Sequence, residues 1–386
     1  MKAHWRLIAN YFLETKKLLL VIFLVQISTY TYSQSEIINA ELIEFKSLFN
    51  SKMRDSVSCY RIPSIVTALN GDLISAIDER KPSCGDLKWN KDINIVIRRS
   101  MDNGNSWSEI ETVVDYPFGK SASDPSMIVD RVTGEIFLFF NFMDHEAEKD
   151  VYYLKVIKSS DHGKTWSFPV DITSQITKPE WFKDFKFITS GGGTQTRSGK
   201  LLHTLVNLQK GLFVFSSSDH GKSWQLIDTP IAPADESKIV ELEDGTWMIN
   251  SRVNNKGFRY VHTSSNEGVS WLSKPDSSLI DPGCNGSIIR YSSKKDGADK
   301  NRLLFSNAKM KDQRMNLTVR ISYDEGNRWS EGKTIYAGSS AYSSLCILAN
   351  GDIGLFFEKD NYTENVFVRF NLEWLTNGKD KYVKAK

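Results

Sequence analysis

The feature that most constrains the fold is an eight-residue motif that occurs five times along the chain. Its consensus is Ser, any residue, Asp, any residue, Gly, any residue, Thr or Ser, and Trp, and we call it the box motif. The copies are SMDNGNSW from Ser100, SSDHGKTW from Ser159, SSDHGKSW from Ser217, SSNEGVSW from Ser264 and SYDEGNRW from Ser322. The Asp can accept hydrogen bonds from its own turn, the Gly supplies a positive φ, and the Trp packs beneath the turn. Each copy therefore predicts a self-capped corner between two strands.

The copies recur at intervals of roughly fifty to sixty residues, which indicates a repeated unit larger than a hairpin. A second series of turn pairs, flanked by apolar strand-like runs, runs in step with the first: Asn70-Gly71, Thr133-Gly134, Ser198-Gly199, Asp244-Gly245, Asp296-Gly297 and Asn350-Gly351. A hairpin, a strand, a box corner and a further strand give four strands per unit. Six such units predict an all-β fold, a six-bladed β-propeller of four-stranded antiparallel blades. The sixth unit has no box motif, and we expect residues 37–45 to complete it beside the last strand.

The start of the chain differs from everything after it. Lys16 and Lys17 precede an apolar run over residues 18–27, and small and polar residues follow it. This layout predicts a signal peptide over residues 1–34, followed by one catalytic-size domain over residues 35–386. An uncleaved membrane anchor is the alternative, although the apolar run is short for a bilayer. We therefore expect an exported protein that is secreted, periplasmic or associated with the cell envelope.

Composition narrows the range of partners. Charged residues make up 25% of the chain and the net charge is +2, so nothing indicates nucleic acid as a partner, or a membrane beyond export. The four cysteines lack the spacing of a metal site. Cys59 and Cys84 flank one hairpin and form the pair most favoured for a disulfide, with four free thiols as the alternative. No motif asks for a metal or an organic cofactor.

A short segment at the start of the first hairpin indicates more than an exported propeller of unspecified function. It reads CYRIPSIV over residues 59–66. An Arg followed by Ile-Pro at the opening of a strand, in a chain with five box motifs, resembles the sialidase (neuraminidase) family of exo-acting glycoside hydrolases. The resemblance covers essentially the whole chain after the leader. It implies sialylated glycans as substrates and no cofactor.

The resemblance implies three arginines that hold the carboxylate of sialic acid. Guanidinium groups form short charge-assisted bonds to a carboxylate and do not lose their charge. The first arginine matches Arg61 and the second matches Arg252. The third matches Arg314, with Arg320 as its rival in the same run. Glu358, at the end of the closing hairpin, matches the family residue that orients the first arginine.

The resemblance also implies an unusual nucleophile. A carboxylate nucleophile would be repelled by the substrate's own carboxylate, and sialidases attack with a tyrosine oxygen instead. Tyr342 matches this tyrosine, and Tyr336 is the competing phenol. A phenol needs a base to take its proton, because its pKa is near 10. Glu236 matches the base, with Asp235 as the competitor.

Three further positions follow from the resemblance. The acid that protonates the departing sugar oxygen matches Asp86 in the loop after the first hairpin, and Asp92 is the alternative. A loop acid can close over the substrate and lose solvent, which raises its pKa into a useful range. Arg80 matches a residue that contacts a ring hydroxyl, and Asp124 matches one that accepts from the N-acetyl N–H.

These residues together predict an exo-α-sialidase that releases terminal α-linked sialic acid with net retention of configuration. A trans-sialidase would use the same covalent intermediate and pass it to another acceptor. A carbohydrate-binding propeller without catalysis is the alternative from a different class, and it would not need a phenol, a base and an acid together.

Overall fold

Strands dominate the computed structural model, which describes residues 43–383. Apart from 25 strands, these residues contain two single-turn α-helices and two 3-10 turns: Thr173–Ile176, Leu372–Leu375, Pro179–Trp181 and Lys294–Asp296. Of these, residues 45–383 belong to one compact unit. The predicted signal peptide over residues 1–34 lies outside the described residues. Within the described range, no helix has the length and apolarity needed to cross a membrane.

The strands form five sheets, and in each the consecutive strands pair antiparallel. The first sheet contains β2 (Cys59–Thr67), β3 (Leu73–Arg80), β4 (Ile93–Ser100) and β5 (Glu111–Val114). The second contains β6 (Lys120–Val129), β7 (Ile136–Asp144), β8 (Tyr153–Ser159) and β9 (Val170–Asp171), with the short β11 (Gly191–Gly192) parallel to β6. The third contains β13 (Leu201–Asn207), β14 (Gly211–Ser217) and β15 (Gln225–Ile231), with β10 (Lys186–Ile188) and β12 (Thr194–Gln195) both paired to β13.

The fourth sheet repeats the four-stranded pattern, and the fifth is larger. The fourth contains β16 (Ser237–Glu241), β17 (Trp247–Ser251), β18 (Phe258–Ser264) and β19 (Leu272–Ile280). The fifth contains β20 (Ser287–Ser292), β21 (Arg302–Ala308), β22 (Met315–Ser322), β23 (Lys333–Ile347), β24 (Ile353–Lys359), β25 (Glu364–Phe370) and β1 (Lys46–Phe49). The described strands thus form five hydrogen-bonded sheets where the sequence predicts six blades. The reason is β23, whose first part pairs with β22 and whose last part pairs with β24.

The sheets are arranged around one central channel, as in a propeller. The channel has a volume of about 360 Å³ and is lined by residues 65–67, 127–129, 192–195, 287–289 and 344–347 together with Lys238. Apolar side chains fill the space between neighbouring sheets, where each cluster draws its members from two adjacent sheets. The fold is therefore an all-β propeller arrangement.

The N-terminal strand of the described chain closes the arrangement. β1 pairs antiparallel with β25, and Lys46 lies opposite Phe367. The closing strand thus begins just after the segment 37–45 that the sequence predicts, most of which lies outside the described residues. Joining the first and last strands of the chain leaves β25 without a free edge.

The box motifs form the self-capped corners that the sequence predicts. In the first copy, the backbone N–H of Ser106 donates to Asp102 Oδ1 at 2.8 Å and its hydroxyl donates to Oδ2 at 2.6 Å. Gly104 has φ of 84° and donates its N–H to Ser100 Oγ at 2.8 Å. These donors hold the pKa of Asp102 at about 2, below its ordinary value. The hydrogen bonds to Asp102 and Ser100 thus come from residues within six positions of one another.

Candidate active site

A buried phenol lies at the centre of the candidate site. Tyr342 on β23 donates its hydroxyl to Glu236 Oε2 at 2.6 Å. Arg252 Nη1 donates to the same carboxylate oxygen at 2.5 Å and to the Tyr342 hydroxyl at 3.2 Å. Burial, reinforced by the charge of Glu236, raises the pKa of Tyr342 well above its ordinary value. The phenol is therefore protonated at rest, and a carboxylate is in position to accept its proton.

Glu236 and Arg252 face each other because they lie at the base of one hairpin. Glu236 directly precedes β16 and Arg252 directly follows β17. The N–H of Arg252 donates to the Glu236 carbonyl at 3.0 Å, so the pairing of the two strands continues through these residues. Directly opposite side chains on one face of an antiparallel pair approach closely. Glu236 and Arg252, sixteen positions apart along the chain, thus form an ion pair.

Glu358 on β24 links two strands of the site, β2 and β23, by hydrogen bonds. Its side chain is fully buried, and Oε1 accepts from Arg61 Nε at 2.7 Å and from the Ile62 N–H at 2.9 Å. Its other oxygen accepts from the Tyr342 N–H at 3.1 Å. The charge of Glu358 keeps the pKa of Arg61 above its ordinary value, although burial alone would lower it. The carboxylate therefore fixes both a cation and the backbone that carries the phenol.

Breaks in the strand ladders release the backbone groups that Glu358 binds. The β2 ladder shifts register between Arg61 and Ser64, and the β23 ladder shifts between Ser340 and Ser343. Ile62, inside the first break, has φ of 70°. A bulge leaves a residue unpaired and re-aims the neighbouring side chains. The two irregularities leave the N–H groups of Ile62 and Tyr342 free to donate to the same carboxylate, that of Glu358.

The three predicted arginines converge on Tyr342. Arg61 Cζ lies 5.9 Å from the centroid of the Tyr342 ring, and Arg314 Cζ lies 5.5 Å from it. Arg252 contacts the hydroxyl of the same ring. Arg314 also donates from Nη1 to the Tyr362 hydroxyl at 3.3 Å and from Nη2 to the Gly283 carbonyl at 3.4 Å. The guanidinium groups thus surround one phenol.

The rival residues lie in other surroundings. Arg320 is buried and donates to Asn307 at 3.1 Å in a polar network that does not contact Tyr342. The Tyr336 hydroxyl donates to Asp360. Asp235 lines the cleft beside Glu236 but accepts from Asn254 at 2.7 Å. Asp92 lies 3.9 Å from Lys81, away from the cleft lining.

A cleft of about 240 Å³ opens beside the phenol. Its lining includes the polar side chains of Tyr342, Glu236, Arg252, Asp86 and Asp124. Apolar and aromatic side chains cover much of the remaining wall: Ile62, Leu87, Trp89, Tyr152, Phe185, Phe187 and Leu208. The cleft can therefore hold a molecule that has both an anionic group and apolar surface.

Asp86 lies on the loop over residues 81–92, between β3 and β4. Its side chain is 65% exposed, and Oδ1 accepts from Arg80 Nη1 at 2.7 Å. The predicted disulfide between Cys59 and Cys84 is present and ties this loop to the start of β2. Cys284 and Cys346 are free and buried. The loop thus carries an exposed carboxylate two residues after a cysteine that the disulfide fixes to β2.

Arg80 and Asp124 meet at a buried carboxylate behind this loop. Asp78 Oδ2 accepts from Arg80 Nη2 at 2.9 Å, and Asp78 Oδ1 accepts from the Asp124 N–H at 2.9 Å. The Arg80 side chain has no exposed surface, so in this structure it contacts Asp78 and Asp86 and not the open cleft. Burial, followed by the charge of Asp78, raises the pKa of Asp124 to about 8. The contacts of Arg80 and Asp124 with a sugar stay predictions.

Three residues of the site were not found from the sequence. Asp78 shares a strand face with Arg80 because side chains alternate with a period of two, and that signal was available. Lys238, two residues after Glu236, is buried and donates to Asn285 at 2.8 Å, and burial lowers its pKa to about 7. Tyr362 lies in the turn between β24 and β25, and no sequence pattern pointed to it.

Comparisons with known proteins agree with this geometry. The family model described as a BNR repeat-like domain matches residues 85–355. The sialidase of Micromonospora viridifaciens is 35% identical over 350 residues, which cover 83% of this chain and 53% of that protein. The sialidase of Bacteroides fragilis is 28% identical over 338 residues, which cover 79% of this chain and 60% of that protein. The chain thus spans little more than half the length of these relatives.

A solved structure gives the same result. The Hadza microbial sialidase Hz136 superposes with a TM-score of 0.76 at 26% identity, covering 83% of this chain and 67% of that one. Fold and site define a propeller protein with three guanidinium groups around a phenol and a carboxylate. We call this part of the ring its mouth, formed by Arg61, Arg252, Arg314, Tyr342, Glu236 and Glu358. The chain belongs to the family of BNR repeat-like domains, and the relatives that it resembles are named sialidases.

Proposed function

We propose that this protein is an exo-α-sialidase that hydrolyses terminal α-linked sialic acids of glycoproteins, glycolipids or oligosaccharides with net retention. The observation that carries the proposal is the contact of the Tyr342 hydroxyl with Glu236 at 2.6 Å, with Arg252 bonded to both. Relatives named sialidase support it. An ordinary structural tyrosine would not need three cations around it.

Substrate binding rests on the three guanidinium groups. Arg61, Arg252 and Arg314 bind the carboxylate on the anomeric carbon and fix the sugar ring against the phenol. Because guanidinium groups stay charged at every working pH, the clamp does not depend on protonation. Its positive field supplies what a metal ion would otherwise provide, so the proposed reaction uses no cofactor. Asp124 and the apolar wall face the remainder of the sugar.

The first half of the reaction forms a covalent intermediate. Glu236 takes the phenolic proton as the Tyr342 oxygen attacks the anomeric carbon, and the bond from that carbon to the leaving oxygen breaks. Asp86 donates a proton to the leaving oxygen, so the released sugar departs as a neutral hydroxyl. The raised pKa of Tyr342 makes the neighbouring base necessary, because without it the phenol would stay protonated.

The second half reverses the roles. Asp86, now a carboxylate, takes a proton from water as the water oxygen attacks the anomeric carbon. The bond to the Tyr342 oxygen breaks, and Glu236 returns the proton to that oxygen. Two inversions at one carbon give net retention. Glu358 contributes through position, since it binds both Arg61 and the Tyr342 backbone.

We count six blades in the ring. The central channel is lined by six separate chain segments, and the seven-stranded sheet divides at β23 into two groups of four strands that share this strand. β20 to the first part of β23 forms one blade, and the last part of β23 with β24, β25 and β1 forms the next. The long strand then serves as the outer strand of one blade and the inner strand of its neighbour.

Export completes the proposal. Residues 1–34 act as a signal peptide, and the protein works outside the cytoplasm, either released or held at the cell envelope. The Cys59–Cys84 disulfide supports this, since disulfides persist in oxidising compartments. Sialylated glycans, the proposed substrates, are met there.

Product analysis tests the proposed reaction. The purified protein is incubated with sialyllactose, and the products are followed by proton NMR and mass spectrometry. Free sialic acid that appears first as the α-anomer is the expected result. A transferred or anhydro sugar among the products would instead indicate a trans-sialidase reaction. Binding of sialyllactose without turnover would instead support a carbohydrate-binding propeller.

A further inference from the structure

Tyr362 contacts two of the three arginines around the phenol. The centroid of its ring lies 3.9 Å from Arg61 Cζ, which places the ring over the face of that guanidinium. Its hydroxyl accepts from Arg314 Nη1 at 3.3 Å. It also packs beside Tyr342 and Ile62. The reaction steps above do not use this residue.

The backbone that presents Tyr362 is strained. Asp360, Asn361 and Tyr362 have consecutive φ values of 51°, 53° and 71°, and none of them is glycine. The left-handed region is unfavourable for residues with a side chain, and a bulky ring tolerates it less well than Asn or Asp. Such conformations persist where the surroundings over-determine them, often at functional sites. The strained turn therefore points to a role for the side chain that it presents.

The strand that carries the phenol holds this turn in place. The Asp360 N–H donates to the Ser339 carbonyl at 2.9 Å, and Ser339 Oγ donates to Asn361 Oδ1 at 2.8 Å. Ser339 lies on β23, three residues before Tyr342. The position of the Tyr362 ring is thus tied to the same strand as the nucleophile.

Two cations near one anion site repel each other unless something holds them. The negative face of an aromatic ring attracts a guanidinium, and the phenol oxygen offers a lone pair to a second one. Glu358 already binds Arg61 through Nε, so the ring leaves the remaining N–H edge of that guanidinium available. Tyr362 therefore stabilises Arg61 and Arg314 side by side. It occupies no N–H donor of Arg61, because it contacts the face of that guanidinium, and it accepts from Nη1 of Arg314 alone.

We propose that Tyr362 is a positioning residue that sets the spacing of Arg61 and Arg314 and thereby the affinity for the substrate's carboxylate. This inference rests on the proposed sialidase function. The ring acts on Arg61 and the hydroxyl acts on Arg314, so the two contributions are separable. Removing the hydroxyl alone loosens one arginine, and removing the ring loosens both.

The test compares Y362F and Y362L with the wild-type protein. The substrate is 4-methylumbelliferyl α-N-acetylneuraminide, and the binding probe is 2-deoxy-2,3-didehydro-N-acetylneuraminic acid. We expect KM and the probe's Kd to rise about 3-fold in Y362F and about 30-fold in Y362L, with kcat within about twofold, because the clamp acts on ground state and transition state alike. The control is Y323F, which removes a tyrosine hydroxyl bond to Asp380 outside the cleft lining and leaves both constants unchanged.

A double-mutant cycle separates positioning from general destabilisation. If the hydroxyl acts through Arg314, Y362F has little further effect on probe binding in an R314Q background, since contacting residues are not additive. A full additional effect there would overturn the inference. So would a Y362L protein that loses folded enzyme while KM is unchanged. Should Y362L fail to fold, the Y362F cycle decides alone.

The two proposals fail in different ways. An active wild type whose Y362L variant keeps its KM and its probe affinity would overturn the inference alone. A wild type that neither cleaves the sialoside nor binds the probe would overturn the proposed function and the inference together.

Discussion

The box corners and the mouth of the ring are built on opposite principles. Each corner hydrogen-bonds its own Asp or Asn side chain locally, as when Asp161 accepts from the Ser159 hydroxyl at 2.8 Å and from the Thr165 N–H at 2.9 Å. The mouth instead joins residues from distant parts of the chain, such as Arg61 and Glu358, 297 positions apart. The corners are turns of one repeated eight-residue pattern, whereas the mouth lies where the ladders of β2, β6 and β23 shift register. Regular local order therefore supports an irregular site.

This contrast predicts that a change in the mouth affects activity and a change in a corner affects stability. The largest expected effect is that of Y342F. Replacing the phenol by a phenyl ring removes the proposed nucleophile, so kcat/KM for a fluorogenic sialoside should fall about 10²- to 10⁴-fold. The thermal midpoint should change little, because the ring still fills its buried position.

The rival phenol supplies the control for this variant. Y336F removes a hydroxyl that donates to Asp360 outside the cleft, and we expect kcat/KM within about threefold of wild type. If Y336F lost activity while Y342F kept it, the roles of the two tyrosines would be reversed.

The next variant, E358A, lies in the mouth and should lower both stability and ligand binding. E358A removes a fully buried carboxylate that accepts from Arg61 and from two backbone N–H groups. Breaking a buried pair leaves an uncompensated charge, and we expect the free energy of unfolding to fall by about 3 to 5 kcal/mol. Chemical denaturation measures this loss, and probe binding should weaken as well. A variant of wild-type stability would show that Arg61 finds another partner.

A smaller effect is expected in a corner. Asp219 accepts from the Ser217 hydroxyl at 2.7 Å and from the Ser223 N–H and hydroxyl at 3.0 and 2.6 Å. D219A should lower the free energy of unfolding by about 1 to 2 kcal/mol and leave kcat/KM unchanged. D228A, at an exposed ion pair with Lys178, serves as the control and should have no measurable effect. A D219A protein with normal stability and reduced activity would contradict the division of roles.

The last effect concerns the dependence of stability on pH. Burial and the neighbouring Asp78 raise the pKa of Asp124 to about 8, and Arg80, Asp86 and Asn141 also face it. The unfolded chain releases this proton near its ordinary pKa of about 4, so between these values the folded state holds one proton more. The free energy of unfolding therefore falls as the pH rises across this window.

Asn at position 124 cannot ionise, so the D124N variant should not show this fall in the free energy of unfolding. The melting temperature of D124N relative to wild type should rise from pH 5 to pH 8.5. D312N, at an exposed carboxylate in the loop before Arg314, is the matched control. A D124N offset that is constant, or that falls with pH, would show that Asp124 is ionised throughout.

The same contrast explains what the sequence could predict. Box motifs and Asn-Gly turns encode their own geometry, so the corners, the hairpins and the all-β propeller followed from local pattern. The long β23 did not, because a continuous strand shared by two ladders leaves no mark in the sequence. The closing strand was expected at residues 37–45, and β1 begins at Lys46, since strand-forming residues alone do not fix which few of them pair.

The site could be predicted only through the family resemblance. No local rule brings Arg61, Arg252 and Arg314 to one phenol, because the approach of distant strands decides it. Tyr362 was missed for a related reason: its turn reads Asp-Asn-Tyr-Thr without glycine, and nothing in those letters announces three residues with positive φ. Where the backbone departs from its ordinary preferences, tertiary contacts supply the cause.

The central claim is that the Tyr342 oxygen forms a bond to the anomeric carbon. Incubation with 2,3-difluorosialic acid, which slows the second step, followed by proteolysis and mass spectrometry, tests it directly. We predict that the added sugar mass lies on the peptide that contains Tyr342 and is absent from Y342F. Sialic acid release from sialyllactose combined with a label on another residue, or with no label at all, would contradict the account.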